Sequence, residues 1–272
     1  MKHIALSCLS VGLLFSQRAS ADLSLETESA RILAPGKVEI SAAAEFQTSN
    51  SNGDEFALPL AIEIGVLPRL EILIEPIALV IINPENGKKT NGIGDTEITA
   101  NYLAFDEREF LPAIAFGLEW KVPTARKLDI GTKKSDFAFY IIGSKRFGDL
   151  DVSANLNYTI IGEPKNVNVK NTWAVALSGD YKLNATWDAF AEASYTSSAA
   201  NNSGSESVCT SSCATTNGES GAGGASAEVG GSERIGTVGV RAHLLPGFDV
   251  FGSASYDNAH ATLLRAGLTW RF

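Results

Sequence analysis

The chain has 272 residues, 44% of them hydrophobic and 19% charged, with a formal net charge of −9 and a mean hydropathy of +0.04. That composition suits one large domain or one barrel and is far too polar for a bundle of membrane helices. The acidic balance disfavours a nucleic-acid role, because phosphate binding needs a basic surface.

The N-terminus reads as an export signal. Lys2 and His3 precede an apolar stretch from Ile4 to Phe15, about the length of a signal h-region. Ala19-Ser20-Ala21 then offers a small-x-small cleavage site before Asp22, with Arg18 an unusual neighbour. The stretch is too short to span a bilayer as an anchor. Cys8 lies inside the h-region, too early for a lipoprotein site. The expected division is a signal peptide over 1–21 and a barrel over 22–272. Cleavage removes Lys2, Arg18 and no acid, so 20 basic groups stand against 31 acidic ones, a balance of −11. It also leaves only Cys209 and Cys213, an even count that suits a disulfide in an exported chain.

Beyond the leader, the longest uninterrupted apolar run is Ile77 to Ile82, six residues. Instead, alternating segments recur at about 37–47, 56–66, 70–82, 95–105, 111–122, 136–146, 150–161, 172–182, 186–196, 235–245, 248–256 and 262–272. A period of two means a strand with unlike surroundings on its two faces. The lengths suit tilted membrane strands of roughly 9–11 residues.

One face of these segments is free of charge. It carries Val38, Ile40, Ala42, Ala44 and Phe46 in the first, and Leu58, Leu60, Ile62, Ile64 and Val66 in the second. The fifth contributes Ile114, Phe116, Leu118, Trp120 and Val122. The sixth blurs its parity at Phe137-Ala138-Phe139-Tyr140-Ile141-Ile142. A charge facing lipid at mid-depth costs about 2–4 kcal/mol, which explains the exclusion. The opposite face holds Glu45, Glu63, Glu75, Glu97, Glu119, Arg241 and Arg265, read here as the lumen lining. A soluble sandwich also alternates. The aromatics decide against it: Trp120, Tyr158, Trp173, Tyr195 and Tyr256 fall at one set of strand ends, and Tyr181, Trp187, Phe248, Trp270 and Phe272 at the other. Two aromatic belts fit two membrane interfaces.

The connections alternate too. Leu67-Pro68-Arg69, Gly148-Asp149, Leu183-Asn184-Ala185 and Pro246-Gly247 are short, and longer loops fall between them. Short periplasmic turns and long extracellular loops are the rule for such barrels. The loop 197–234, rich in Ser, Gly, Ala, Asn and Thr, has too little apolar area to order itself. It contains Cys209 and Cys213, which read as a small disulfide loop; two thiols without a nearby His make only half a metal site. The expected fold is an all-β, antiparallel up-and-down transmembrane barrel of about twelve strands.

The order of these pieces resembles the outer-membrane family of phenol-degradation, MetA-pathway proteins, regarded as channel-like transporters. The matching stretches are Leu33-Ala34-Pro35-Gly36-Lys37, Gly65-Val66-Leu67-Pro68-Arg69-Leu70-Glu71, Gly92-Ile93-Gly94-Asp95, Lys121-Val122-Pro123-Thr124 and Gly267-Leu268-Thr269-Trp270-Arg271-Phe272. The resemblance implies a channel in a Gram-negative outer membrane, with lipid and a small solute as partners. It transfers no catalytic motif and no cofactor. A final strand ending in Phe272 resembles the signal that barrel-assembly machinery reads.

The alternatives are weaker. Gly92-x-Gly94 lacks the third glycine and the helix of a nucleotide site. A Ser/His hydrolase needs a base beside its nucleophile, and only His243 and His260 survive processing. Neither reads as a base, so the expectation is no enzyme.

Three expectations concern transport. Glutamates of segments two to five face arginines of segments ten and twelve, either as opposed charged walls that select polar solutes or as pairs that fill the interior, Arg265 with Glu45 for example. Twelve strands give a backbone diameter of roughly 24 Å and leave a bore of about 10 Å. Ile77, Leu79 and Ile81 would line an apolar patch near the outer mouth that could greet an aromatic or hydrophobic molecule, unless a bulge at Pro76 reverses the parity or a loop covers it. The runner-up function is a non-conducting structural or adhesive barrel acting through its extracellular loops.

Overall fold

The computed structural model describes residues 27–49, 53–163, 169–199 and 232–272. The export signal, Cys209, Cys213 and most of the 197–234 loop lie outside the described residues.

Each alternating segment is a strand. They are β1 (Val38–Ser49), β2 (Gly53–Leu67), β3 (Leu70–Asn83), β5 (Thr96–Phe105), β6 (Ala113–Val122), β7 (Asp136–Phe147), β8 (Leu150–Ile160), β9 (Thr172–Lys182), β10 (Trp187–Thr196), β11 (Glu233–Leu245), β12 (Phe248–Asp257) and β13 (Ala261–Arg271). A short β4 (Thr90–Gly92) pairs only with the outer end of β3. Every long strand pairs antiparallel with the next, and β1 closes the cylinder on β13 from Glu39↔Arg271 to Ser49↔Ala261. Closure matters because hydrocarbon offers no partner to an unpaired backbone group. The terminal Phe272 N–H donates to Val38 O at 2.9 Å, so the seam is bonded to its last residue.

The register sends the expected apolar set outward. Trp120 stacks near Phe137 at one rim, with Trp173 against Tyr195; Trp270 stacks on Phe272 at the other. In β7 the ambiguity resolves: Phe137, Phe139 and Ile141 are exposed, whereas Ala138, Tyr140 and Ile142 are buried inside. Charged outward residues such as Asp54, Lys145 and Arg234 sit at strand ends, where lipid exposure costs least.

One expectation needs correction. Between Leu58 and Pro59, β3 carries an extra residue: Leu58 pairs with Leu79, but Pro59 pairs with Ile77. Ile77 therefore keeps its inward direction, while Leu79 and Ile81 turn to the lipid face with Leu58 and Phe56. Val80 and Ile82 point inward in their place. Loop residues Ala125 and Ile130 pack on Val80, with Ile77 and Ile82 against them. The bulge thus re-aims the strand and the β6–β7 loop covers the patch.

The same loop explains two of the short motifs. Thr124 Oγ1 donates to Gly94 O at 2.9 Å, and Ala125 N–H donates to Asp95 Oδ1 at 2.9 Å. A side chain at Gly94 would collide with Ile77. Gly92-x-Gly94-Asp95 is therefore a docking surface for the chain after Lys121-Val122-Pro123-Thr124.

Leu118→Arg, on the outward mid-strand face, should destabilise the barrel by about 2–4 kcal/mol, whereas Asn157→Lys on the inner face should cost far less. Reversible urea unfolding from lipid vesicles measures both.

Candidate functional site

The site is the lumen, and the chain's own N-terminal segment runs through it. Thr27 N–H donates to Glu192 Oε2 on β10 (3.1 Å), Ala30 N–H to Ser144 Oγ on β7 (2.9 Å) and Leu33 N–H to Glu71 Oε2 on β3 (2.5 Å). Those strands lie about a quarter-turn apart around the closed order. Only a segment inside the cylinder can reach inward side chains on all three. The Asn155 side-chain amide, oriented to suit, accepts from Glu28 N–H and donates to Glu28 O. We call residues 27–37 the strap.

The wall makes room for it with small residues. Ala30, wholly buried, packs with Ala113 and Ala115 of β6 and Ala138, Tyr140 and Ile142 of β7. At the entry, Gly36 N–H donates to Gly65 O at 2.8 Å and Gly65 N–H to Lys37 O at 3.0 Å. A Cβ at Gly65 would sit 2.2 Å from Ala34 O. The Leu33–Lys37 and Gly65–Glu71 motifs are thus two halves of one contact. On the far wall, Phe190 lies over Gly239 and Phe251 over Gly267, where any side chain would collide with the ring. Glycine lets both rings lie flat against the wall instead of crossing the bore.

Arg31 ties the strap to the rim formed by the short turns. Its guanidinium meets Glu107 at 2.9 Å and Asp151 at 2.5 Å. Glu107, in the β5–β6 turn, also accepts from Arg146 N–H at 2.9 Å and pairs with Lys145 at 3.2 Å. Partial burial pushes the Glu107 carboxyl up, but the Arg146 N–H and the Arg31 and Lys145 cations outweigh it and bring it down to about 2.

The arginines and the histidine on the inner face of the other wall are engaged among the described residues. Arg265 pairs with Glu45 across the β1–β13 seam. Arg241 meets Asp180 at 2.9 Å. His243 lies between Asp188 (2.7 Å) and Asp249 (2.8 Å), and Arg271 joins Asp249 to Glu39 at 2.6 Å each. An ionic girdle thus runs from β9 to β1 near the end that carries the short turns. The arginines are not an open positive wall facing the glutamates; their own neighbours neutralise them. His260 lies in the β12–β13 turn, its Nδ1 2.6 Å from the Tyr256 hydroxyl.

The opposite wall is different. The register places Glu63 and Glu75, with Glu71, Glu97 and Glu119, on the inner faces of β2, β3, β5 and β6. The cation among the inward positions there is Lys121, which is paired with Asp136. Tyr140 donates its hydroxyl to Glu119 Oε2 at 2.8 Å. Of the residues read as lumen lining, then, Glu45, Arg241 and Arg265 are tied up in ion pairs and Glu119 accepts from Tyr140, while Glu63, Glu75 and Glu97 face the interior with no ion pair among the described residues. Sequence reasoning missed the strap; the available sign was a run of small inward residues (Ala113, Ala115, Ala138) wide enough to admit a backbone.

A family model described as "Putative MetA-pathway of phenol degradation" matches residues 78–227. The chain belongs to that family. The matched span includes both halves of the Gly92–Asp95 and Lys121–Thr124 contact, while the strap and the seam lie outside it. Among solved structures, an outer-membrane channel from Pseudomonas putida F1 superposes with a TM-score of 0.65 at 10% identity, covering 93% of this chain and 100% of that one. The NanC porin gives 0.56 at 10% identity, over 85% and 98%. The KdgM porin in complex with disordered oligogalacturonate gives 0.54 at 12%, over 86% and 99%. At such identities the likeness is one of fold. No curated protein matches the sequence significantly.

Glu107→Gln should loosen the strap. Hydrogen exchange of the peptide spanning 27–33 should quicken by about tenfold, the effect of ~1.4 kcal/mol. A depressed carboxyl stabilises fully above its ordinary range near 4.5 and loses that contribution as pH falls through about 2. The share of strap protection that Glu107→Gln removes should therefore persist at pH 4 and vanish only near pH 2.

Proposed function

We propose that this protein is an outer-membrane channel for passive passage of small molecules, with a bore narrowed by its own N-terminal strap. The observation that carries this reading is a closed cylinder, charge-free outside at mid-depth, around a lumen rich in acidic and basic side chains. A solid structural peg has no use for an interior lined with Glu63, Glu75 and Glu97, because buried polar groups cost several kcal/mol unless hydrogen-bonded or wetted.

Export by a signal peptide cleaved after Ala21 supports the same reading, as does assembly through the terminal Phe272. With the strap inside, the free bore is smaller than the roughly 10 Å of an empty cylinder of this size. That favours single small molecules over chains of sugars. The family description makes phenolic compounds one class of solute to include. The apolar patch gives them no special support, since Ala125 and Ile130 already cover it.

Liposome swelling with solutes of graded size tests the channel. The mature protein should admit only the smallest members, and deletion of residues 22–33 should raise both the size limit and the planar-bilayer conductance. A deletion variant that folds yet seals the bilayer would overturn the channel and leave a structural or adhesive barrel acting through its outer loops.

A further inference from the structure

Two of the long loops carry a charge opposite in sign to that of the chain. The β3–β4 hairpin over 83–92 and the β6–β7 loop over 123–135 hold Lys88, Lys89, Arg126, Lys127, Lys133 and Lys134 against Glu85 and Asp129. Six cations against two acids give +4 in a chain of net −9. Counting the exposed Glu163 of the adjacent β8–β9 loop leaves +3. The two loops form one body: Lys127 Nζ donates to Asn91 O, and Ile130 packs on Val80 of β3. Among the described residues none of the six cations forms an ion pair. The nearest acids are spent elsewhere, since Asp136 pairs with Lys121 and accepts from Gly162 N–H at 2.8 Å, and Asp95 accepts from Ala125 N–H.

The aromatic belt fixes the height of this charge. Trp120 and Phe137 stack at 6.4 Å on the outward face where β6 ends and β7 begins. Trp120 Nε1–H donates to Ser135 Oγ at 3.2 Å, so the chain just before β7 lies on the belt. Lys134 and Lys133 precede Phe137 by three and four residues, a reach of at most roughly 14 Å. Belt aromatics sit at the headgroup level of a bilayer. These two lysines therefore stand at the depth of lipid phosphates. Lys133 is exposed there with φ +57, a left-handed backbone that non-glycine residues seldom adopt.

We propose that this two-loop surface docks the phosphate groups of an outer-leaflet glycolipid. Phosphate oxygens accept charge-assisted bonds from several ammonium and guanidinium donors at once. Each cation held near an anionic lipid surface strengthens binding by roughly fivefold, so a cluster retains a lipid that one cation would not. A soluble acidic polymer has the charge but no acyl chains to lie against Trp120 and Phe137, and the belt therefore favours the lipid. The inference goes beyond the channel reading. It rests on the long loops facing the outer leaflet and on no property of the bore.

Titration of the mature, detergent-solubilised barrel, followed by microscale thermophoresis, tests the surface without relying on conductance. The probes are bisphosphorylated lipid A, its dephosphorylated form, and sodium polygalacturonate as a soluble polyanion. Bisphosphorylated lipid A should bind at least about tenfold more tightly than the dephosphorylated form, and its affinity should fall as salt rises to about 0.5 M. Lys133→Gln/Lys134→Gln should weaken it by about 25-fold, two factors of roughly five; heat-modifiable gel mobility checks that the variant folds. If it does not fold, Lys88→Gln/Lys89→Gln in the exposed hairpin carries the test, with a loss of at least about fivefold expected. Equal affinity for the two lipids, binding unchanged by the substitutions, or equally tight binding of polygalacturonate overturns the proposal. Bilayer conductance without lipid A binding keeps the channel and removes the docking surface, and lipid A binding by a barrel that seals the bilayer does the reverse.

Discussion

Everything in this molecule depends on β1 meeting β13. A sheet that stays open in hydrocarbon leaves a row of unpaired backbone groups, each costing several kcal/mol. The seam spans the whole of both strands, from Glu39↔Arg271 to Ser49↔Ala261. Inside it, Ser41 and Thr269 share a hydroxyl contact at 2.8 Å, and Arg265 pairs with Glu45. The polar side chains of the seam face in and its aliphatic ones face out. The same two strands therefore close the backbone, present an apolar exterior and begin the ionic interior.

Closure creates a second problem, which is how to fill a polar interior. Two solutions operate on opposite walls. From β9 round to β1, acids and bases alternate closely enough to neutralise one another through Asp180, Arg241, Asp188, His243, Asp249, Arg271 and Glu39. From β2 to β6, carboxylates dominate, and the chain lays its own backbone near them. The strap's Leu33 N–H goes to Glu71 on this wall, and its Thr27 N–H crosses to Glu192 on β10. Such charge-assisted bonds are stronger than neutral ones. The strap is thus both an obstacle in the bore and part of its electrostatic lining.

Local irregularities position the outer mouth. The extra residue in β3 changes which side chains face in, and the β6–β7 loop then has an apolar seat at Val80. Gly92 and Gly94 let that loop come close, since side chains there would strike Ile130 and Ile77. The bulge, the glycines and the loop form one unit: without the parity change, Leu79 would sit where Val80 now receives Ala125 and Ile130.

Much of this was legible in the amino-acid order. Period-two alternation locates all twelve long strands within a few residues, because lipid outside and polar lumen inside impose opposite demands on successive side chains. The inward direction of Glu45, Glu63, Glu75, Glu97, Glu119, Arg241 and Arg265 follows from the same parity. So does the Glu45 and Arg265 pair, once the first and last strands are taken to be neighbours. Three things were decided only in three dimensions. The bulge at β3 reversed Leu79 and Ile81, since one inserted residue exchanges the faces of all that follow. The arginines proved bound to nearby acids rather than set against the glutamates, since register sets which charges lie within reach. And residues 27–37, which carry no periodicity, became the filling of the bore, because the space they occupy exists only after twelve distant strands have closed around it.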